Sequence, residues 1–198
     1  MNKKPFIVAL GASSGGIKAL SEFFDYTLPD GVSYIITTHL LPKYKSHLTS
    51  IIQTRSRIRV CTVEHNMKIE SNIVYVMPEN NTMTIVDGYL VLKARDLSVK
   101  INLAIDIFFM SLAEDEMFYK IAIILSGMGQ DGTEGTKALY ENGGYVIAQS
   151  LVSAGKSSMP RSVINSGYVN EILEPRDMPA AIIAYVDRCR AYNRGQSL

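Results

Sequence analysis

The 198-residue sequence predicts an α/β fold: a doubly wound, mostly parallel sheet with helices on both faces and an antiparallel hairpin at one edge. Three observations predict it. Short apolar, β-branched runs alternate with amphipathic segments along the chain. Glycine-rich turns follow several of these runs. The dipeptide Asp87-Gly88 separates two alternating apolar runs, which is typical of a hairpin. We find no linker or repeat, and therefore expect a single domain over residues 1–198.

The first half of the chain is predicted to contain buried strands separated by two helices. Its strands are short apolar runs such as FIVAL and SYIITTH, and its first helix follows a glycine turn. In chain order the predicted elements are strand 6–10, helix 16–27, strand 33–39, helix 44–56 and strand 59–64.

The second half continues the alternation after the hairpin. Residues 121–126 (IAIILS) form a fully apolar run, as expected for a parallel strand buried on both sides. The segment 102–116 has apolar residues at helical spacing. In chain order the predicted elements are strand 74–78, hairpin 82–94, helix 102–116, strand 121–126, helix 133–144, strand 145–150, helix 160–167 and helix 178–192.

Composition and charge exclude several classes of protein. The chain is 47% apolar and 20% charged, which is ordinary for a globular protein, and its net charge of +1 does not favour nucleic acid or an anionic membrane as partner. No apolar run is long enough to cross a membrane, and the first residues do not resemble a signal peptide. Cys61 and Cys189 lie far apart, without metal or redox spacing. We therefore expect free thiols, no membrane insertion and a cytoplasmic location.

Chemically suggestive residues follow the first predicted strand. In open parallel sheets, sites lie beyond the carboxyl ends of the strands, near the point where the strand order reverses. Gly11 to Gly15 fits G-x-S-x-G, a strand-to-helix elbow that presents the Ser13 hydroxyl, and the helix that starts near Gly16 adds backbone donors. The alternative is that Ser13 or Ser14 only caps this helix.

A serine nucleophile needs a base, and the chain has three histidines. His47 lies inside a predicted helix and His65 follows the third strand, whereas His39 ends the second strand, next to the first in a doubly wound order. We therefore expect His39 to be the partner of Ser13. The alternative is a strand-end histidine bonded to a loop.

An imidazole base is oriented by a carboxylate, and Asp131 offers one after strand 121–126. It lies in a turn with glycines at 127, 129 and 132, whose backbone N–H groups can converge on negative charge. The alternative is that Asp131 is the N-cap of the helix that follows. Together, three strand ends predict a Ser13–His39–Asp131 triad.

These motifs resemble the catalytic domain of CheB, the protein-glutamate methylesterase of bacterial chemotaxis, over nearly the whole chain. The matching segments are GASSGG (11–16), HLLP (39–42), LSGMGQDG (125–132) and SMPRSVINSGYVNEIL (158–173). Residues 39–48, 105–114 and 176–182 look most similar to the CheB module of fusions with the receptor methyltransferase CheR.

The resemblance implies the site and the reaction. Ser13 would be the nucleophile, His39 the base and Asp131 its orienter, with the backbone N–H groups of Ser14 and Met128 serving the oxyanion. The implied activity is hydrolysis of glutamate γ-methyl esters on methylated chemoreceptors or similar signalling proteins, with release of methanol, and possible deamidation of glutamine. No metal or organic cofactor is expected. A methyltransferase in the same longer chain or pathway is a further expected partner.

Four positions depart from the family pattern. Ser158 replaces a usual glycine, Thr38 stands where glutamine is usual, and residues around Thr82 lack a histidine found in many members. Asn102-Leu103 replaces a common Arg-Pro. Because the first strand begins at residue 6, we expect no phosphorelay receiver domain within these residues.

Three other functions compete with this hypothesis. A short-chain NAD(P) dehydrogenase can also contain GASSG, but Ile17 stands where its loop needs another glycine, and Tyr89 and Lys93 fall in the predicted hairpin. An α/β-hydrolase would have the order Ser, Asp, His. The last alternative is a non-catalytic receptor- or signalling-partner module of the same fold.

Overall fold

The computed structural model describes residues 4–39 and 47–195, with side chains described to residue 192. Residues 40–42 of the HLLP motif and the start of the predicted helix 44–56 lie outside this range. The helices are α1 (Gly16–Phe24), α2 (Leu48–Gln53), α3 (Ala104–Glu114), α4 (Thr133–Glu141), α5 (Ser158–Ser166) and α6 (Met178–Gly195). The strands are β1 (Phe6–Ala12), β2 (Val32–Thr38), β3 (Arg59–Thr62), β4 (Met67–Lys68), β5 (Ile73–Val76), β6 (Asn81–Val86), β7 (Tyr89–Ala94), β8 (Tyr119–Ile124), β9 (Tyr145–Gln149) and β10 (Glu171–Leu173).

Seven strands form a parallel sheet in the order β10-β9-β8-β1-β2-β5-β3. The central strand β1 pairs with β2 on one side and with β8 on the other. After β1 the chain runs outward through β2 and later returns to β8, so the strand order reverses at β1. The doubly wound class predicted from the sequence is confirmed, and the crevice that such sheets use for sites lies beyond the carboxyl end of β1.

The predicted hairpin forms as β6 and β7, with Asp87 and Gly88 in the turn. Both turn residues have positive φ angles, 49° and 79°, as a tight two-residue hairpin loop requires. The hairpin pairs with β4 in a separate three-stranded antiparallel sheet, rather than continuing the main sheet. The Ile85 N–H donates to Ser111 Oγ at 3.1 Å, which joins this small sheet to α3.

Two apolar clusters cover the two faces of the main sheet. Alternate residues of β1 belong to different clusters: Leu10 packs in one with Phe23 of α1 and Ile182 of α6, while Ala9 packs in the other with Phe108 of α3. Helices therefore cover both faces, as predicted. Burying a side chain such as Phe108 contributes about 1.5–3 kcal/mol, so these layers hold the strand ends in fixed positions.

Two short strands, β4 and β10, were not predicted. β4 has two residues and β10 has three, and both carry charged residues (Lys68 and Glu171) that break the apolar pattern. They form because an edge beside β7 or β9 is available to them. The tertiary structure specifies these strands, since their own sequences do not.

Candidate active site

A tight elbow holds Ser13 directly after β1. The Ser13 N–H donates to the Ser126 carbonyl at 3.0 Å, and the Ser13 carbonyl accepts from the Gly16 N–H at 2.9 Å. Gly15 has a φ of +81°, and a Cβ there would lie 2.5 Å from Ser126 Oγ, so this position requires glycine. Ser13 is 7% exposed, and its bond to Ser126 holds it beside the loop that follows β8.

The serines of the elbow do not cap α1. The helix begins after Gly15, and no side chain makes a capping hydrogen bond at this end. The alternative interpretation of Ser13 or Ser14 as a helix cap is therefore wrong. Both serines lie in the turn that precedes the helix.

His39 lies at the same level as Ser13, on the neighbouring strand end. Ala12 and Thr38 are register partners in the β1–β2 pair, and the His39 N–H donates to the Ala12 carbonyl at 3.2 Å. The His39 side chain is 13% exposed, and its Nε2 lies 2.5 Å from Asp131 Oδ2, a close contact between the two groups whose angle lies outside the hydrogen-bond range. The structure therefore brings His39 and Asp131 into contact and places Ser13 after the adjacent strand end.

The other two histidines lie elsewhere. His47 is exposed and precedes the first residue of α2. His65 is exposed, and its Nδ1 lies 2.9 Å from the Leu92 carbonyl of the small sheet. Of the three histidines, His39 alone contacts the carboxylate at the crevice.

Asp131 is held by three backbone amides and is 5% exposed. Its Oδ1 accepts from the N–H groups of Asp106 and Gly132, both at 2.9 Å, and its Oδ2 accepts from the Ile105 N–H at 2.9 Å. Ile105 and Asp106 belong to the first turn of α3, whose positive dipole end favours a carboxylate. This network fixes the oxygen that faces His39.

The alternative for Asp131, a cap of the following helix, is wrong. The residue before α4 is Gly132, and no side chain makes a capping hydrogen bond from that position. Asp131 caps α3 instead, which is distant in the sequence. Sequence reasoning missed this because the acceptor and its donors are about 25 residues apart.

A second buried carboxylate, Asp106, lies beside Asp131 and was not predicted. Its Oδ1 accepts from the Gly135 N–H of α4 at 2.8 Å. Burial raises the pKa of Asp106 to about 6; the hydrogen bond from Gly135 opposes this rise, and the charge of Asp131 adds to it. The available signal was a lone aspartate between Ile105 and Ile107 in the first turn of an apolar helix.

The loop after β8 packs against Ser13. A Cβ on Gly127 would lie 2.4 Å from Met159 Sδ and 3.0 Å from Ser13 Cβ, so a larger residue there would displace the Met159 side chain and crowd Ser13. The Gly127 N–H donates to the Lys156 carbonyl at 2.9 Å, and the Gly129 N–H donates to Ser158 Oγ at 3.2 Å.

The amide between these two, on Met128, has no acceptor among the described residues, and the same holds for the Ser14 amide. Met128 is 59% exposed as a residue. Free backbone amides of this kind are the donors that oxyanion sites use.

Ser126 connects the elbow to the opposite loop and was not singled out from the sequence. Its Oγ donates to the Ser14 carbonyl at 2.8 Å and accepts from the Lys156 N–H at 2.9 Å. Its own N–H donates to Gln149 Oε1 at 2.7 Å. These bonds fix β1, β8 and β9 relative to one another at the site.

The positions that depart from the family pattern have different environments. The Ser158 hydroxyl donates to the Gly127 carbonyl and accepts from the Gly129 N–H, each at 3.2 Å, so it braces the Met128 loop. Thr38 is buried, and its hydroxyl has no hydrogen-bond partner among the described residues. Thr82 lies in the small sheet, and Asn102 Oδ1 accepts from the Ala104 N–H at 3.2 Å.

The arrangement differs from that of a dehydrogenase site. Tyr89 and Lys93 lie on β7 of the small antiparallel sheet, while the glycine-rich elbow follows β1 of the main sheet. Cys61 and Cys189 are free thiols, as expected. Within the described ranges there is no cluster of three or more potential metal ligands, and no helix is both long and apolar enough to cross a membrane.

Comparisons with known proteins agree with the geometry. The chain is 34% identical over 192 residues to a protein-glutamate methylesterase/protein-glutamine glutaminase of Bacillus licheniformis, covering 93% of this chain and 54% of that protein. A Geobacillus kaustophilus protein of the same description is 32% identical over 186 residues, covering 91% and 53%. The chain thus spans about half the length of these curated relatives.

The solved catalytic domain of Thermotoga maritima CheB methylesterase superimposes with a TM-score of 0.80 at 27% identity, covering 92% of this chain and 100% of that one. The family model described as CheB methylesterase matches residues 8–182. The chain therefore belongs to the CheB methylesterase family.

Proposed function

We propose that this protein hydrolyses glutamate γ-methyl esters on chemoreceptor-like proteins and releases methanol, with Ser13, His39 and Asp131 as its catalytic triad. The observation that carries this proposal is the Asp131 carboxylate, fixed by three amides with Oδ2 2.5 Å from His39 Nε2, beside the strand end that bears Ser13. The names of the relatives support the reaction.

In the first half of the reaction His39 acts as general base. Nε2 faces Asp131, so Nδ1 is the ring nitrogen left to take the Ser13 proton. Ser13 Oγ attacks the γ-carbonyl carbon, and the tetrahedral oxyanion accepts hydrogen bonds from the Ser14 and Met128 amides. His39 then gives this proton to the methoxy group. Methanol departs, and the substrate acyl group remains bound to Ser13 as an ester.

The second half repeats these steps with water. His39 takes a proton from water, the hydroxide attacks the acyl carbonyl, and Ser13 leaves with the proton from His39. A glutamate carboxylate is released. The Asp131 carboxylate stabilises the imidazolium, a role that suits a carboxylate held by helix-start amides. Only protons and one acyl group are transferred, so the chemistry requires no metal or organic cofactor.

The same machinery fits deamidation of glutamine, which is the second activity named for both relatives. Ammonia would leave in place of methanol, with the same proton from His39 and the same acyl-Ser13 ester. We include this activity in the proposal because the leaving group is the only change.

We further propose that residues 1–198 act as one catalytic domain on a methylated chemoreceptor or similar signalling protein in the cytoplasm. The free thiols Cys61 and Cys189 agree with a reducing compartment. Fusion or cooperation with a CheR methyltransferase stays a prediction.

The experiment is methanol release from a methylated receptor fragment by the wild-type protein and by Ser13→Ala. We expect turnover by the wild type and a loss of several powers of ten in the variant, because the acyl acceptor is gone. Ser14→Ala is the matched control and should retain activity, since the proposal uses only its backbone amide. No turnover by the folded wild type would favour the non-catalytic module.

A further inference from the structure

Helices α3 and α4 cap each other through two aspartates. Neither helix has a side-chain capping bond from its own N-cap residue, Leu103 or Gly132. The α3 amides of Ile105 and Asp106 donate to Asp131, which precedes α4. In return, the α4 amide of Gly135 donates to Asp106 in α3.

The two helices approach closely at this crossing. A Cβ on Gly135 would lie 2.5 Å from Phe109 Cβ and 3.1 Å from the Asp106 carbonyl oxygen, so glycine is what lets the helix starts meet. Asp106 is buried, and its carboxylate spans the gap between the helices. Its backbone N–H also supplies one of the three amides that hold Asp131.

We propose that Asp106 is a positioning residue for the triad: its carboxylate joins the start of α3 to α4, so that Asp131 stays fixed against His39, and its negative charge adds to that of Asp131. This inference rests on the proposed esterase function. Asp106 does not touch the reacting atoms, and it acts through Asp131.

The charged surroundings of Asp106 are simple. Asp131 is the one charged side chain in the described part of the chain whose charge affects the pKa of Asp106, and His39 lies beyond Asp131. On α3 itself, Glu114 lies in the last turn and is exposed. On α4, Glu134 is exposed and Lys137 is half-buried.

A charge change at Asp106 should therefore be felt at His39. A negative charge near an imidazole favours its protonated form, so neutralising Asp106 should lower the pH at which His39 titrates. For a unit charge about 8–10 Å from the imidazole and an effective dielectric constant of about 20, the midpoint shifts by about 1–1.5 pH units. A purely structural role would leave this midpoint unchanged.

The test is Asp106→Asn, because the amide oxygen can still accept from the Gly135 N–H. We expect kcat to fall about tenfold with KM changed less than about twofold. We also expect the NMR titration midpoint of the His39 ring and the acid limb of kcat to move together to lower pH. Glu114→Gln, the same charge change at the exposed end of α3, is the control and should leave all three values unchanged.

A folded Asp106→Asn protein with wild-type kcat and an unmoved His39 midpoint would overturn the proposal. If this variant fails to fold, Asp106→Ser carries the same test, because serine is also neutral and its hydroxyl can accept from the Gly135 N–H; an unmoved His39 midpoint in the folded Asp106→Ser protein would overturn the proposal. The NMR readout needs no turnover, so an inactive wild-type protein would contradict the esterase function while leaving this inference testable.

Discussion

Replacing Asp131 by asparagine keeps the size of the side chain but removes its charge and one hydrogen-bond acceptor. Oδ1 accepts two amides and Oδ2 accepts one, so the asparagine oxygen is best placed at the Oδ1 position, bonded to Asp106 and Gly132. The NH₂ group then faces the Ile105 N–H and His39 Nε2. As a donor, it forces Nε2 to accept, which puts the proton on the wrong ring nitrogen.

The magnitudes follow from this geometry. Two charge-assisted hydrogen bonds become neutral ones, which lowers the free energy of unfolding by about 1 kcal/mol each. The buried Ile105 N–H loses its acceptor, which lowers it further by about 1–3 kcal/mol. We therefore expect a loss of about 3–5 kcal/mol in the free energy of unfolding. Turnover should fall much further, by about 10³–10⁴-fold, because the imidazole is held in the wrong tautomer.

The assay is kcat for methanol release together with denaturant unfolding of the same samples. Asp115→Asn is the matched control: its Oδ1 also accepts two amides, from Met117 and Phe118, but it lies at the other end of α3. We expect Asp115→Asn to lose stability and keep kcat. A folded Asp131→Asn protein with turnover within tenfold of wild type would refute the reasoning.

Three further predictions concern the base, the buried aspartate pair and control of activity. His39→Gln should lose activity by several powers of ten and His47→Gln should not, as measured by kcat for methanol release; an inactive His47→Gln protein beside an active His39→Gln protein would contradict this. The pKa of Asp106 is raised from 3.8 to about 6, so folding favours its protonated form. The contribution of this group to the free energy of unfolding is therefore complete below about pH 4 and is lost as the pH rises through about 6. Between pH 4 and pH 7 the free energy of unfolding of the wild type should fall by up to about 3 kcal/mol more than that of Asp106→Asn. The same pH dependence in both proteins would contradict a raised pKa of Asp106. Acetyl phosphate should leave methanol release by the 198-residue protein unchanged, since we expect no receiver domain within it; a large rise would reveal a switch.

The local sequence predicted most of the fold because the strands that form the sheet are continuous apolar runs. FIVAL and IAIILS became β1 and β8, and glycine turns after them mark the two loops of the site. The edge strands β4 and β10 escaped prediction, since pairing with a neighbour, rather than their own composition, determines them. The hairpin was predicted, but its separation from the main sheet depends on packing against α3.

The sequence offered a site hypothesis only for residues that follow a strand. Ser13, His39 and Asp131 each follow a strand directly or within a short glycine turn, so the expected adjacency of the strands led to the prediction that they meet; the structure shows the contact between His39 and Asp131. Asp106 and Ser126 act through contacts with residues that are distant in the sequence, and the spacing of residues along the chain does not reveal such contacts. For the same reason Asp131 was weighed as a cap of the wrong helix.

The most direct test of the triad is covalent labelling of the native protein with a fluorophosphonate, followed by peptide mass spectrometry. Attack by an activated serine on the probe needs the nucleophile, the base and the oxyanion donors together, and it requires no receptor substrate. We predict stoichiometric labelling at Ser13, none at the adjacent Ser14, and loss of labelling in His39→Gln. Labelling at Ser14, or equal labelling of the folded His39→Gln protein, would contradict the account.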